Sequence, residues 1–163
     1  MDDIVKTGSG QKISASLEDY LEAIFNLADE SQGARSKDIA EALSVARSSV
    51  TGALQALREK GLANYRPYGC ITLTESGQAL AAEVVRKHNI LKSFFVNVLG
   101  VDADVAQQAA CKAEHALGPE IIGRLLSFIQ YVTESHKNGR DVAEEFRQFH
   151  KRRSGGRARA VKS

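Results

Sequence analysis

One stretch, Arg35 to Leu73, constrains the fold more than any other. Ser36 opens a short helical pattern that runs to Leu43, the turn Ser44-Val45-Ala46 follows, and a second helical pattern extends from about Arg47 to Lys60. Val50, Leu54 and Leu57 recur there at the spacing of one helix face. Gly61 is a natural helix stop. Beyond it the texture becomes Leu62-Ala63-Asn64-Tyr65-Arg66, a turn at Pro67-Tyr68-Gly69, and Cys70-Ile71-Thr72-Leu73. Aromatic and β-branched residues on either side of a Pro and Gly turn predict a hairpin. Two helices joined by a tight turn and followed by a hairpin predict a helix-turn-helix with a β-wing.

The flanking chain reads as helical throughout. Ser16 opens a helix striped by Leu17, Leu21, Ile24, Phe25 and Ala28, which Gly33 ends. After the wing, Thr74 caps a long helix carrying Leu80, Val84, Val85, His88, Leu91 and Phe95, and Gly100 breaks it. Asp102 begins the helix that holds Cys111, Glu114 and His115. The run from Ile121 to Val132 is too apolar for a helix with one side in water, so it is expected to pack against a copy of itself. A last amphipathic helix, Asp141 to Lys151, presents Val142, Phe146 and Phe149. The expected architecture is mostly α: a winged helix-turn-helix domain over 14–78, a helical domain over 79–150, and a basic flexible tail over 151–163.

With 163 residues, 43% of them hydrophobic, the chain can bury one solid core or two small ones. No run approaches the roughly 20 apolar residues needed to span a bilayer. Cytoplasmic residence without a membrane partner is therefore expected, and Cys70 and Cys111 are read as reduced, packed or metal-bound. Charge is segregated beneath the net value of +2. Residues 1–34 carry two cations and seven acids, 35–92 nine and five, 93–150 five and eight, and 151–163 six cations and no acid. A basic helix-turn-helix between acidic segments suits phosphate contact on one side and cation capture on the other. A solvated face is the plainer account of charge alone.

Cys111, Glu114 and His115 are spaced three and four apart, which brings a thiolate, a carboxylate and an imidazole to one helix face. Asp19 and Glu22 are likewise three apart on the first helix. Singly, these residues have simpler readings: His88 a packed histidine, Cys111 a small buried hydrophobe, Asp19 and Glu22 an exposed helix face. On the DNA side, a helix-turn-helix offers the N-terminal part of its second helix to the major groove, which nominates Arg47, Ser48, Ser49, Thr51 and Gln55. Ser36 and Lys37 ahead of it, and Arg66 or Tyr68 in the wing, are candidates for phosphate contact.

Several motifs occur in order: Ser16-Leu17-Glu18-Asp19-Tyr20-Leu21-Glu22, Ser36-Lys37-Asp38-Ile39-Ala40, Ser48-Ser49-Val50-Thr51, Arg86-Lys87-His88 and Cys111-Lys112-Ala113-Glu114-His115. Over about residues 14 to 132 the chain resembles the diphtheria toxin repressor family, including its manganese transport regulator branch. The resemblance implies a winged-helix domain, a helical dimerisation domain, and divalent metal between them that promotes operator binding. The SH3-like domain of some members is not expected here. Asp19 and Glu22 match the two first-helix acids of the manganese branch, and His88, Glu114 and His115 match shared ligands. Cys111 follows the iron-responsive branch instead, where the manganese branch has glutamate. Lys92 and Gln107 stand where that iron branch has ancillary ligands, and a lysine does not suit a complete second site.

A thiolate among carboxylates and imidazoles favours Fe(II), with Mn(II) next and Co(II), Ni(II) or Zn(II) compatible. The expected function is a metal-dependent repressor of iron or manganese uptake genes, acting as a homodimer on a palindromic duplex operator. A thiol enzyme using Cys111 as nucleophile and His115 as base lacks an evident oxyanion hole, so no enzyme is expected. A metal-independent winged-helix regulator or DNA scaffold is the other reading, and it makes the ligand cluster a coincidence.

Overall fold

The computed structural model describes residues 13–28, 33–67 and 69–160, with side chains as far as Ser154. The chain divides into two compact units, Met1–Ala82 and Glu83–Ser163, and the division falls inside a continuous helix.

In the first unit, α1 (Ala15–Leu27) starts at Ser14, whose hydroxyl accepts from the Leu17 amide at 3.3 Å. Ser14, rather than Ser16, is the cap. Tyr20, Leu21, Ala23 and Ile24 form its buried face. Helix α2 (Ser36–Leu43) ends on Ser44 in the left-handed region, φ 54°, and this sharp turn leads into α3 (Arg47–Glu59). Val50, Leu54 and Leu57 are fully buried, as the helical spacing predicts. Gly61, at φ +68°, then releases the chain into the wing.

The wing is shorter than the sequence suggests. Strands β1 (Ala63–Asn64) and β2 (Thr72–Leu73) pair antiparallel, Ala63 opposite Leu73 and Asn64 opposite Thr72. Instead of extending this pairing, Ile71 exchanges two 2.8 Å backbone bonds with Ala34, the residue before α2's N-cap. The wing base is thus stitched to the helix-turn-helix. One core of α1, α2, α3 and wing residues results, built around Leu21, Ile24, Ile39, Leu54, Leu57 and Ile71.

Helix α4 (Glu75–Ser93) is opened by Thr74, whose hydroxyl accepts from the Gly77 amide and donates to the Gly61 carbonyl. In the second unit it runs into a π-helical turn, Phe94–Val98, and stops at Gly100, φ +69°. Helix α5 (Ala103–Ala113) is capped by Asp102, whose carboxylate accepts from the Asp104 and Val105 amides. Helix α6 (Pro119–Lys137) begins with proline in its first turn, where a missing N–H costs nothing. Ile90, Leu91, Ala110 and Ile122 form one core cluster of this unit, and Val98, Val132 and Ala143 another.

Helix α7 (Val142–Ala160) corrects the sequence reading, which expects a flexible tail from Lys151. The helix continues nine residues further, through Ser154, Gly155 and Gly156, with no proline to stop it. Among the described residues no helix is long and apolar enough to cross a membrane.

Candidate metal centre and nucleic-acid interface

In the first unit, α3 and the wing border an open depression of about 700 Å³. Its lining includes Ser36, Arg47, Thr51 and Gln55, four of the residues nominated from sequence, together with Arg35, Tyr65, Pro67, Gly69 and Cys70. Both charged residues in this lining are arginines. Ala46, the residue before α3, supplies no side-chain cap, and only its backbone carbonyl serves the first turn, accepting from the Ser49 and Val50 amides. Such a helix start favours a phosphate oxygen.

The remaining nominees lie elsewhere. Ser48 and Ser49 are exposed on the first turn of α3, and Lys37 is exposed on α2, outside the depression lining. Arg66 lines a separate depression on the wing with Arg58 and Asn64. Tyr68 lies outside the described residues. The Thr51 hydroxyl donates to the Arg47 carbonyl at 3.1 Å, which ties up its proton but leaves its lone pairs available. Sequence alone does not single out Arg35 and Tyr65. A cation just before a helix and an aromatic at a strand end are too common to stand out without the fold that unites them.

Asp19 and Glu22 sit one turn apart on α1, both half-buried.

The second unit gathers the other ligand candidates. Ala106 and Ala110 are fully buried small residues on α5. Ala110 packs in one cluster with Ile90 and Leu91 of α4, which brings the end of α5 to the turn bearing His88. Glu114 is not inside the helix, as the sequence suggests, but is its C-cap, and His115 lies just beyond. The cause is downstream: Gly118-Pro119 disfavours helical backbone, and the Ala116 and Leu117 amides close a tight turn on the Ala113 carbonyl.

His88 is 5% exposed and Glu114 2%. His88 Nδ1 lies 2.7 Å from Glu114 Oε2, and His115 Nε2 lies 3.5 Å from Glu114 Oε1. A ligand atom of Cys111 falls within 4.8 Å of one of Glu114. Cys111 is half-buried and forms no disulfide, and Cys70 is free and exposed. His88 Nε2 is buried and has no hydrogen-bond partner among the described residues. A buried imidazole nitrogen without a partner is costly unless something else satisfies it. A cation fits, because the Glu114 carboxylate that His88 holds also lies near the Cys111 thiol and the His115 imidazole, all transition-metal ligands.

A cationic groove between a recognition helix and a wing, in a chain whose second unit concentrates metal-ligating side chains, defines a DNA-binding regulator responsive to a metal. Residues 12–71 match the family described as iron dependent repressor, N-terminal DNA binding domain, and residues 74–146 match iron dependent repressor, metal binding and dimerisation domain. The chain belongs to the iron-dependent repressor family and is a metal-dependent, DNA-binding transcriptional regulator.

An uncharacterized HTH-type transcriptional regulator of Methanocaldococcus jannaschii is 40% identical over 119 residues, 72% of this chain and 95% of the relative. Among solved structures, the manganese regulator SloR is 31% identical with a TM-score of 0.64, covering 71% of this chain and 54% of its own. IdeR of T. acidophilum is 26% identical with a TM-score of 0.62, covering 74% and 55%. The chain thus spans about half the length of these two structures.

Proposed function

We propose that this protein represses iron or manganese uptake genes when metal is plentiful, binding a palindromic operator as a homodimer. The ligands would be His88, Cys111, Glu114 and His115 of the second unit with Asp19 and Glu22 of α1. The observation that carries this reading is the buried His88–Glu114 pair, whose imidazole has a nitrogen to spare, beside a thiol.

A bound divalent cation supplies the positive charge that a set of carboxylates and a thiolate requires. Glu114, held by His88, offers a carboxylate fixed in place, both side chains being almost wholly buried. A thiolate tilts the set toward Fe(II), with Mn(II) next. That SloR is a manganese regulator and IdeR a structural neighbour is consistent with either metal. Ligands drawn from both units would make metal binding favour one arrangement of the recognition helices. Metal and operator affinities are then reciprocally coupled.

On the DNA side, Arg47 and Gln55 are the side chains best suited to base edges, guanine and adenine respectively. Arg35, Ser36, Lys37 and Arg66 suit phosphate oxygens. Ser48, Ser49 and Thr51 are short-range readers.

The test is to select duplexes from a random pool with anaerobic Fe(II), then titrate binding of the winner with Fe(II), Mn(II), Co(II) and Zn(II). Metal should raise affinity by the factor of about 5–150 typical of coupled sites. Undiminished binding after exhaustive chelation would replace this reading with a metal-independent regulator.

A further inference from the structure

Helix α7 is docked by its first turns and exposed from Gln148 to Ser154. Ala143 is buried with Val98 and Val132, and Arg147 donates to the Asn97 carbonyl at 2.9 Å. From Gln148 to Ser154 every side chain is exposed. Charge reverses along the same helix. Glu144 and Glu145 occupy its first turn, while Lys151 to Ser163 holds six cations and no acid.

The helix macrodipole favours acids at the start and bases at the end, but its influence fades within the last turn. It does not account for six cations over thirteen residues. Nor does helix propensity explain why a helix exposed from Gln148 to Ser154 continues through Gly155-Gly156. We infer that the basic end of α7 is a second contact to duplex DNA, gripping phosphates without regard to sequence, in addition to the groove of α3 and the wing. The inference rests on the DNA-binding reading above.

Charge complementarity identifies the occupant. Duplex DNA presents one negative charge per roughly 1.7 Å of its axis, and ten helical residues from Lys151 reach along about 15 Å. Arg153 is steadied for such a role, its guanidinium 5.8 Å from the Phe149 ring centroid. His150, Arg153 and Ser154 share the margin of one shallow depression on this face. An anionic bilayer fits less well, because surface-bound helices bury a broad apolar face. The exposed aromatics Phe146 and Phe149 precede the basic run, and beyond Phe149 the largest apolar residue is Val161.

The test uses the full chain with Lys151→Gln, Arg152→Gln and Arg153→Gln combined; glutamine keeps helix propensity at three exposed positions. Affinity for a random-sequence duplex is measured by fluorescence anisotropy between about 50 and 200 mM salt, with chelator present. The plot of log K against log salt should become shallower by about 2 to 3, near 0.9 for each phosphate that the variant no longer neutralises. Equal slopes for parent and variant would overturn the inference. So would a variant that fails to bind phosphatidylserine vesicles while its duplex slope is unchanged. Because metal is removed, failure of the metalloregulator reading is visible separately, as no gain on adding Mn(II) to either protein.

Discussion

Glu114 and His88 stabilise each other in a place where neither would be tolerated alone. Removing one partner of a buried pair leaves an uncompensated polar group, at a cost of about 3–5 kcal/mol, whereas replacing both with apolar residues can be nearly neutral. Glu114→Ala in the metal-free protein should therefore lower urea stability by about that amount, and the His88→Leu/Glu114→Leu double variant by distinctly less. A double variant as unstable as the single would mean that the 2.7 Å pairing contributes little. Cys111 calls for a spectroscopic test. A thiolate must lose its proton to bind and is softer than a carboxylate. Cys111→Glu should abolish the cobalt–thiolate charge-transfer band of the Co(II) form and raise the response to Mn(II) relative to Fe(II). A parent Co(II) spectrum without that band would make Cys111 a packed residue and remove the ground for preferring iron.

At the scale of elements, the junction of wing and α4 has no room to spare. A Cβ at Gly77 would lie 1.9 Å from the Leu62 carbonyl oxygen, a backbone atom that also accepts from the Thr74 amide. Gly77→Ala should destabilise the first unit by about 1–3 kcal/mol, the usual cost of overpacking, measured by denaturant titration. Sequence alone shows Gly77 only as a tolerated glycine near a helix start, because close approach depends on a partner 15 positions away in the chain. Periodic features are far more legible. Val50, Leu54 and Leu57 point inward as their spacing dictates, and Thr74 and Asp102 cap as their chemistry dictates. Tertiary pairing is not legible: Ala34 bridging Ile71, or Arg35 and Tyr65 meeting at one groove, leaves no mark in a local pattern. For the candidate metal ligands of the second unit, residue identities are plain in the chain, and the fold adds the pairing of His88 with Glu114. The start of α7 has its own pH dependence. A backbone hydrogen bond from Glu144 holds Asp141 below its usual 3.8, and side-chain bonds hold Glu144 and Glu145 below 4.5. Depressed values mean that this support is full above those ordinary values and is lost as pH falls through the lower folded ones. Amide protection over residues 142–147, taken relative to the intrinsic exchange rate at each pH, should therefore fall below pH 3.8 before the core clusters open. Asp141→Asn should weaken the effect.

For the whole molecule, the exposed apolar side chains of the second unit matter most. Ile121, Phe128 and Tyr131 of α6 are each between 43% and 51% exposed, and Phe128 stands edge-on to Phe94 and beside Tyr131. Within the apolar run expected to meet a copy of itself, Leu125 and Ile129 instead pack partly into the unit's own core. The outward aromatic ridge is thus the better candidate for the homodimer contact of a family with a dimerisation domain. Phe128→Arg should yield monomers in sedimentation at micromolar concentration and abolish operator binding, while the isolated fold, judged by circular dichroism, survives. A variant that stays dimeric would move the interface elsewhere. The π-turn at Phe94–Val98 has a consequence of a different kind, a genealogical one. Such a turn holds one residue more than an ordinary helical turn, and because the helix ends directly after it at Gly100, the surplus residue shifts where the chain leaves the helix. A relative whose helix ends in an ordinary turn should lack one codon there. Deleting that codon here should restore an ordinary helical turn, at the expense of rotating Val98 out of its cluster with Val132 and Ala143.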